Sequence, residues 1–309
     1  MLKNNLTKTI FIIGILALFL ALSPVAFAAE KTPLNAEKAD KNVEESKDKQ
    51  TKEKRKEILK EATTAIQETQ KALNLLSENK NKEAIAALER ATGKLEIILA
   101  RDPSLILAPY SVDSVTYDIM STPGTIKSLI KEAEDALEDG RVQQARLMIR
   151  NLASETVIRV SNIPLGTYPD AIKLAAKNID ENKVEEAKTV LQNALNTTVI
   201  KNTIIPLPIV NAKYLLGEAE KLAEKKERSE DENKLLTNFL KDARTKITLA
   251  KALGYGSKEN LKNLNDQLDD IEEKTTGGKS GTGFFKKIKG YLNDTVKSSQ
   301  QDNPASKKE

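Results

Sequence analysis

Neither cysteine nor histidine occurs anywhere in the 309 residues. That double absence removes several kinds of chemistry at once: thiolate nucleophiles, imidazole acid/base catalysis, disulfides, and the usual zinc, copper and haem ligand sets. No side chain titrates between about pH 5 and 8 at its ordinary value, so a response to mild acid has to come from carboxylates. Tryptophan is also missing, and aromatic residues make up only 4% of the chain. Alanine, leucine, isoleucine and valine must then fill the core, which favours closely approaching helices. Charge of one sign is not in excess either, with 49 basic against 45 acidic residues and a net +4. A nucleic-acid binder concentrates basic charge on one face, so no nucleic-acid partner is expected.

The two ends of the chain read as non-core. Lys3 and Lys8 precede a 13-residue apolar run over 10–22, and Ala26-Phe27-Ala28 has the form of a cleavage site. The run is short of the ~20 residues a bilayer crossing needs. Residues 1–28 are therefore expected to be a cleaved signal peptide, which puts the remainder in the periplasm. Residues 29–52 are charged and almost without apolar side chains, the composition of a disordered linker. Residues 275–283 are rich in glycine, serine and threonine and open a flexible tail running to 309. Within it Phe284, Phe285 and Ile288 share one helical face, with Lys286 and Lys287 off it. Such a segment suits peripheral contact with an anionic membrane, or docking back onto its own domain.

Between the ends the chain repeats itself. Ile163-Pro164-Leu165 returns as Ile205-Pro206-Leu207, 42 residues on. Ala84, Ala145 and Ala187 align as three copies, followed by Ile97, Ile158 and Ile200 and then by Pro103, Pro164 and Pro206. Each copy has an apolar stripe at helical spacing, for example Ala87, Leu88 and Ala91. Each is entered through a polar turn: Glu78-Asn79-Lys80, Glu138-Asp139-Gly140 and Glu181-Asn182-Lys183. The expected fold is all-α, with antiparallel helix pairs from a roughly threefold helical repeat over 53–256. Helices are expected over 125–139, 142–160, 168–181, 184–201, 207–228 and 231–253, with a further one at 257–274. The prolines end each unit with the same bend.

The first interval is longer than the second, and the surplus falls in 104–124. There β-branched and aromatic residues alternate with small polar ones, which predicts a short β-like or irregular insertion. Insertions in repeat frameworks tend to carry binding surfaces. The candidate ligand or partner surface is therefore Tyr110, Asp113, Tyr117 and Asp118, with Tyr168 at the next unit exit. Asp102 and Glu155 also lie near apolar text, but 45 acidic residues in a helical chain are mostly solvated. Gly277-Gly278-Lys279-Ser280 does not make a phosphate loop, because Glu273 stands where the pattern needs glycine. No catalytic, cofactor or metal site is assigned, and the chain is expected not to be an enzyme.

Several of these stretches together resemble the YfdX family of exported bacterial proteins. They are Glu83-Ala84-Ile85 through Ala91-Thr92-Gly93-Lys94-Leu95-Glu96, the insertion with Ala108-Pro109, Leu152-Ala153-Ser154-Glu155 through Pro169-Asp170-Ala171, Ile205-Pro206-Leu207-Pro208, and Ala252-Leu253-Gly254-Tyr255. The likeness spans about 56–256. It implies a mostly helical periplasmic protein that forms homo-oligomers, takes a small-molecule or protein ligand and acts in envelope stress, with no family catalytic residues to carry over. The second reading is a structural envelope protein attached to the inner membrane through its C-terminal segment.

Overall fold

Three times along the chain a helix stops at a residue with positive φ: Asn79 (62°), Gly140 (73°) and Asn182 (57°). Glycine and asparagine are the residues that enter this region at least cost. The next amide closes the turn each time, Lys80 N onto Leu75 O (2.9 Å), Arg141 N onto Ala136 O (2.7 Å) and Lys183 N onto Asn178 O (2.8 Å). The side chain of that same residue pairs with the acid two places before it: Lys80 with Glu78 (2.6 Å), Arg141 with Asp139 (2.7 Å) and Lys183 with Glu181 (2.6 Å). The threefold repeat is thus built into the backbone. Its second turn is Asp139-Gly140-Arg141, one residue later than the polar turn Glu138-Asp139-Gly140 read from the sequence and in register with Ala84, Ala145 and Ala187.

The computed structural model describes residues 34–301, with side chains from 41 to 297. The expected signal peptide over 1–28 lies outside the described residues. After α1 (Leu34–Lys56) come three units of two helices and a strand. They are α2 (Lys60–Ser77), α3 (Asn81–Arg101) and β1 (Leu107–Tyr117); then α4 (Pro123–Glu138), α5 (Val142–Ile149) and β2 (Glu155–Pro164); then α6 (Tyr168–Asp180), α7 (Val184–Asn196) and β3 (Val199–Pro206). Four helices complete the chain: α8 (Leu207–Ala223), α9 (Glu230–Ala252), α10 (Lys258–Thr275) and α11 (Lys286–Gln301). The fold is mainly helical, as expected. No described helix is long and apolar enough to cross a membrane.

The strands correct the boundaries drawn from periodicity. Helices are expected from sequence to run to 160 and 201, but α5 ends at Ile149 and α7 at Asn196. The residues beyond those two ends are rich in β-branched side chains, Val157-Ile158 and Val199-Ile200 among them, and they pair as an antiparallel sheet in the order β1-β2-β3. Stiff χ1 preferences favour the pleated chain there. In the first copy the helix runs on through Ile97, and Pro103 sits in the turn beyond it, so these two are not the structural counterparts of Ile158 and Pro164. The insertion supplies that copy's strand instead, which bears out its β-like reading. Prolines stand at the starts of α4, α6 and α8, where the missing N–H costs nothing.

Two cores flank the sheet. In the first, α3 packs on α6 and α2 on α7. Ala62, Ala65, Ala72, Ala84, Ala87, Ala91, Ala175 and Ala187 are all fully buried there, which is how a chain without tryptophan closes a core. The second core joins α8, α9, α10 and α11. The α4–α5 pair belongs to neither, and its own small core is Ala133, Ala136 and Ala145.

The ends are more ordered than composition suggests. Most of the stretch read as a disordered linker over 29–52 is α1, which packs on α8 and β1 and buries Thr51. Lysine, glutamate and alanine are good helix formers, and Glu44 pairs with Lys47 one turn away. Apolar periodicity could not reveal this helix, because propensity and a single docked face hold it. The segment read as a flexible linker over 275–283 is also tied down. Gly281 N donates to Ala223 O (3.1 Å), and Arg228 reaches Lys279 O (2.7 Å) while also donating to Leu222 O and Ala223 O. Gly277 and Gly278 form a left-handed turn here, with α10 rather than a strand before it.

Arg228→Ala removes this clasp and leaves the last carbonyls of α8 without their charged donor. It is expected to lower stability by roughly 1–2 kcal/mol and to speed tryptic cleavage at Lys279. Urea unfolding and timed proteolysis check both effects.

Candidate functional site

The residues singled out from sequence do not converge. β1 carries Tyr110 near one end and Tyr117 at the other, with Asp118 just beyond it, so the proposed surface is split along the length of a strand. Tyr110 sits in a β-bulge between Pro109 and Ser111, and its carbonyl accepts from Thr63 Oγ1 (2.9 Å). Its ring packs against the first core. Tyr168 lies in that core, fully buried. Asp113 lies opposite Arg159 and accepts from its Nε at 2.7 Å. Both are substantially exposed, so this is a surface ion pair of small energetic weight.

Asp118 belongs to a different constellation. It accepts from Ser154 Oγ at 2.7 Å, while Ser154 N donates to the Tyr255 hydroxyl at 3.0 Å and Ser154 O accepts from Leu207 N at 2.9 Å. Burial pushes the Tyr255 phenol well above its ordinary value; the neighbouring Glu155 and Asp118 carboxylates push the same way, and the bond from Ser154 opposes them. A tyrosine so held keeps its proton, and the serine hydroxyl spends its proton on Asp118. The cluster is therefore a joint that fastens the end of α9 and the start of α8 to the sheet. Tyr255 and Ser154, its two central members, are visible in the sequence only as parts of separate motifs 101 residues apart.

Tyr168 is buried for another reason. Its hydroxyl has no hydrogen-bond partner in bonding geometry, since the adjacent Thr69 hydroxyl donates to Ala65 O (2.8 Å). Burial raises its pKa from 10.0 to about 12, with Thr69 offsetting part of that rise. Carboxylates held below their usual range, such as Glu68 beside the Arg90 guanidinium (2.8 Å), sit on the surface. Among the described residues no group of three or more acidic side chains is placed to hold a metal ion.

The C-terminal face read as a membrane contact is occupied. Phe285, Ile288 and Leu292 are buried in the second core, with Phe284 packed partly against it. Lys289 pairs with Glu220 of α8, and Lys213 of α8 donates to Asn293 Oδ1 (3.0 Å). Lys286 and Lys287 face solvent at the start of α11. The docked alternative is the arrangement found.

Sequence reasoning missed a groove that exists only because α1 and α11 both lie along α8. It has a volume of about 710 Å³. Ile205, Ile209, Val210, Gly217 and Val296 give it an apolar lining, Tyr214 adds a phenol, and Lys49, Lys213, Lys221 and Lys297 stand around it with Glu45 and Glu218. Lys221 is paired with Glu218 (2.5 Å), which raises its pKa, whereas Lys213 meets an amide rather than a carboxylate. The Tyr214 phenol is raised by burial and by Glu218. Gly217 leaves space in mid-helix, since a Cβ built there meets nothing within 4 Å. That glycine in an apolar helix, with no turn to make, is the one signal in the sequence.

Residues 65–203 match the model of the YfdX family, described as YfdX protein. This bears out the resemblance read from the sequence over that stretch. The match ends within β3, short of α8 and α9, to which the resemblance extends. A solved structure of Salmonella Typhi YfdX is similar at 14% identity and a TM-score of 0.34, covering 48% of this chain and 93% of that one. None of the curated proteins matches.

The two buried tyrosines give opposite outcomes on loss of the hydroxyl. Tyr255→Phe leaves the Ser154 amide unsatisfied and is expected to cost ~1–3 kcal/mol at neutral pH. Tyr168→Phe is expected to change stability there by less than ~1 kcal/mol. Tyr168 is protonated in both states below its unfolded value of 10.0. Above that value the unfolded chain releases the proton first, so on the order of 2 kcal/mol of stability disappears as the pH climbs toward its folded value. The Phe variant should flatten that alkaline loss, as measured by urea unfolding across the range.

Proposed function

We propose that this chain, with its YfdX region over 65–203, is a non-enzymatic exported binding protein that holds an amphipathic anion in the groove between α1, α8 and α11. The observation that carries the reading is the pairing of an apolar lining with lysines in one concave space. An alkyl or ring body would leave water along the half-buried Val210, Tyr214 and Val296, while a carboxylate or sulfate head would meet Lys213 or Lys297. The apolar contact adds affinity, and the attraction to the lysines is the part that an uncharged head group forfeits. Amphiphiles of this kind disrupt membranes, so sequestering them accords with a role in envelope stress. The signal-like sequence of residues 1–28 supports a periplasmic setting for that role.

Peripheral membrane attachment is the weaker reading. Phe285 and Ile288 would have to leave the second core before they could meet a bilayer. An enzyme finds little support in a chain without cysteine or histidine, where the serine of the one hydroxyl–carboxylate–phenol cluster serves as a joint.

Decanoate below its micelle concentration, with octyl glucoside as the uncharged control, tests the reading by thermal shift and calorimetry. Decanoate should raise the melting temperature and the glucoside should not. Gly217→Leu projects into the groove from a position where a Cβ meets nothing within 4 Å, and should weaken decanoate binding at least about tenfold, or ~1.4 kcal/mol, with the melting temperature of the free protein retained. Equal binding by the two proteins would place the ligand elsewhere and sink the proposal.

A further inference from the structure

α1 makes one wall of the groove, yet little joins it to the rest of the molecule. Asn42, Ser46, Lys49 and Gln50 share one of its faces at helical spacing and line the space. Over residues 41–56 the one buried side chain is Thr51, and its hydroxyl has no hydrogen-bond partner. Val43 is the one apolar residue in that stretch and is only half-buried. Neither core includes a residue of α1. Its ion pairs, Lys47 with Glu44 and Lys54 with Glu57, and its Gln50–Ser46 hydrogen bond all stay within the segment. Among the described residues no side chain of 41–56 bonds to α8, β1 or any other element.

The opposite wall is built differently. α11 buries Ile288 and Leu292 and pairs Lys289 with Glu220. Residues 57–59 break the helix between α1 and α2, and Leu59 N donates to Pro109 O (2.9 Å), so the chain is pinned to the sheet just after the break. Helices in proteins are held chiefly by the apolar face they bury. α1 therefore sits at the low end of the stability range, where segments open on their own. Charge adds to this, because four lysines meet two glutamates around the groove, Lys49 and Glu45 coming from α1. Laying α1 over an empty groove brings like charges together, and an anion among them turns that repulsion into attraction.

We propose, resting on the reading of this groove as an anion site, that α1 is its lid. It swings open about residues 57–59 while the rest of the fold stays intact, and an amphipathic anion in the groove closes it. The ligand favours the closed form because only that form offers it both walls, Lys49 of α1 as well as α8 and α11. A molecule with an uncharged head gains nothing from Lys49 and does not close the lid.

A chain without cysteine lets one introduced thiol report alone. Thr51→Cys puts it beneath α1 in place of an unsatisfied hydroxyl, and Thr69→Cys puts it at a fully buried position of α2 as the reference for global unfolding. With the neutral reagent dithiodipyridine, the first thiol should react at least about a hundredfold faster than the second. Decanoate at about ten times its dissociation constant should slow the first reaction roughly tenfold, and octyl glucoside should leave it unchanged. Equal rates for the two thiols overturn the proposal, because α1 would then open only with the whole fold. Calorimetric binding of decanoate that leaves the Thr51→Cys rate untouched overturns the lid and spares the groove. No binding at all overturns the groove reading and the lid with it. Hydrogen exchange on the unaltered chain guards against a defect in either variant. Amides over 41–56 should exchange faster than those over 209–223, and equal protection overturns the proposal as well.

Discussion

One left-handed turn, made three times, governs the N-terminal two thirds of the molecule. Because Asn79, Gly140 and Asn182 each reverse the chain in the same way, the two helices of every unit meet at the same spacing, and that spacing is small. Alanine is then the side chain that fits between them, as Ala72 and Ala84, Ala133 and Ala145, and Ala175 and Ala187 show by their burial in all three units. A chain poor in aromatics can close its core only if such approach is enforced, and the turn enforces it before any long-range contact exists. The flanking ion pairs between residues 78 and 80, 139 and 141, and 181 and 183 sit on the surface, so they favour the turn without carrying much of its energy.

The C-terminal helices depend on the sheet through a few polar bonds. Ser154 uses all three of its polar groups to hold Asp118, Tyr255 and Leu207, so one residue at the start of β2 receives β1, α8 and the end of α9 together. Buried networks of this type are strong when fully satisfied and costly when one member is removed. α1 and α11 then close over α8, and the groove is a by-product of two helices meeting a third.

The units, their alanines and the insertion are legible in the sequence, because helical spacing and exact recurrence do not depend on long-range contacts. The strands are not: Val157 and Ile158 follow closely on the apolar stripe that begins at Ala145, and only pairing with Val115 and Ser114 makes them β. Nor is α1, because a helix held by propensity and one docked face has the composition of a linker. The amphipathic face of Phe285 and Ile288 is plain, yet whether it meets lipid or protein is decided by α8, far away in the chain. Tyr110 and Tyr168 stand out as rare aromatics and prove to be core, whereas Lys213 and Gly217, which line the groove, have little in their local text to mark a site.

The pairing of the first unit with the third has a consequence for how the chain acquires its structure. The apolar faces of α2 and α3 find no partner in the next segment to emerge, and stay bare until α6 and α7, some hundred residues later, become available. During that interval a neighbouring chain's third unit offers the same complement. Exchange of units between chains is therefore the misassembly to which this topology is open.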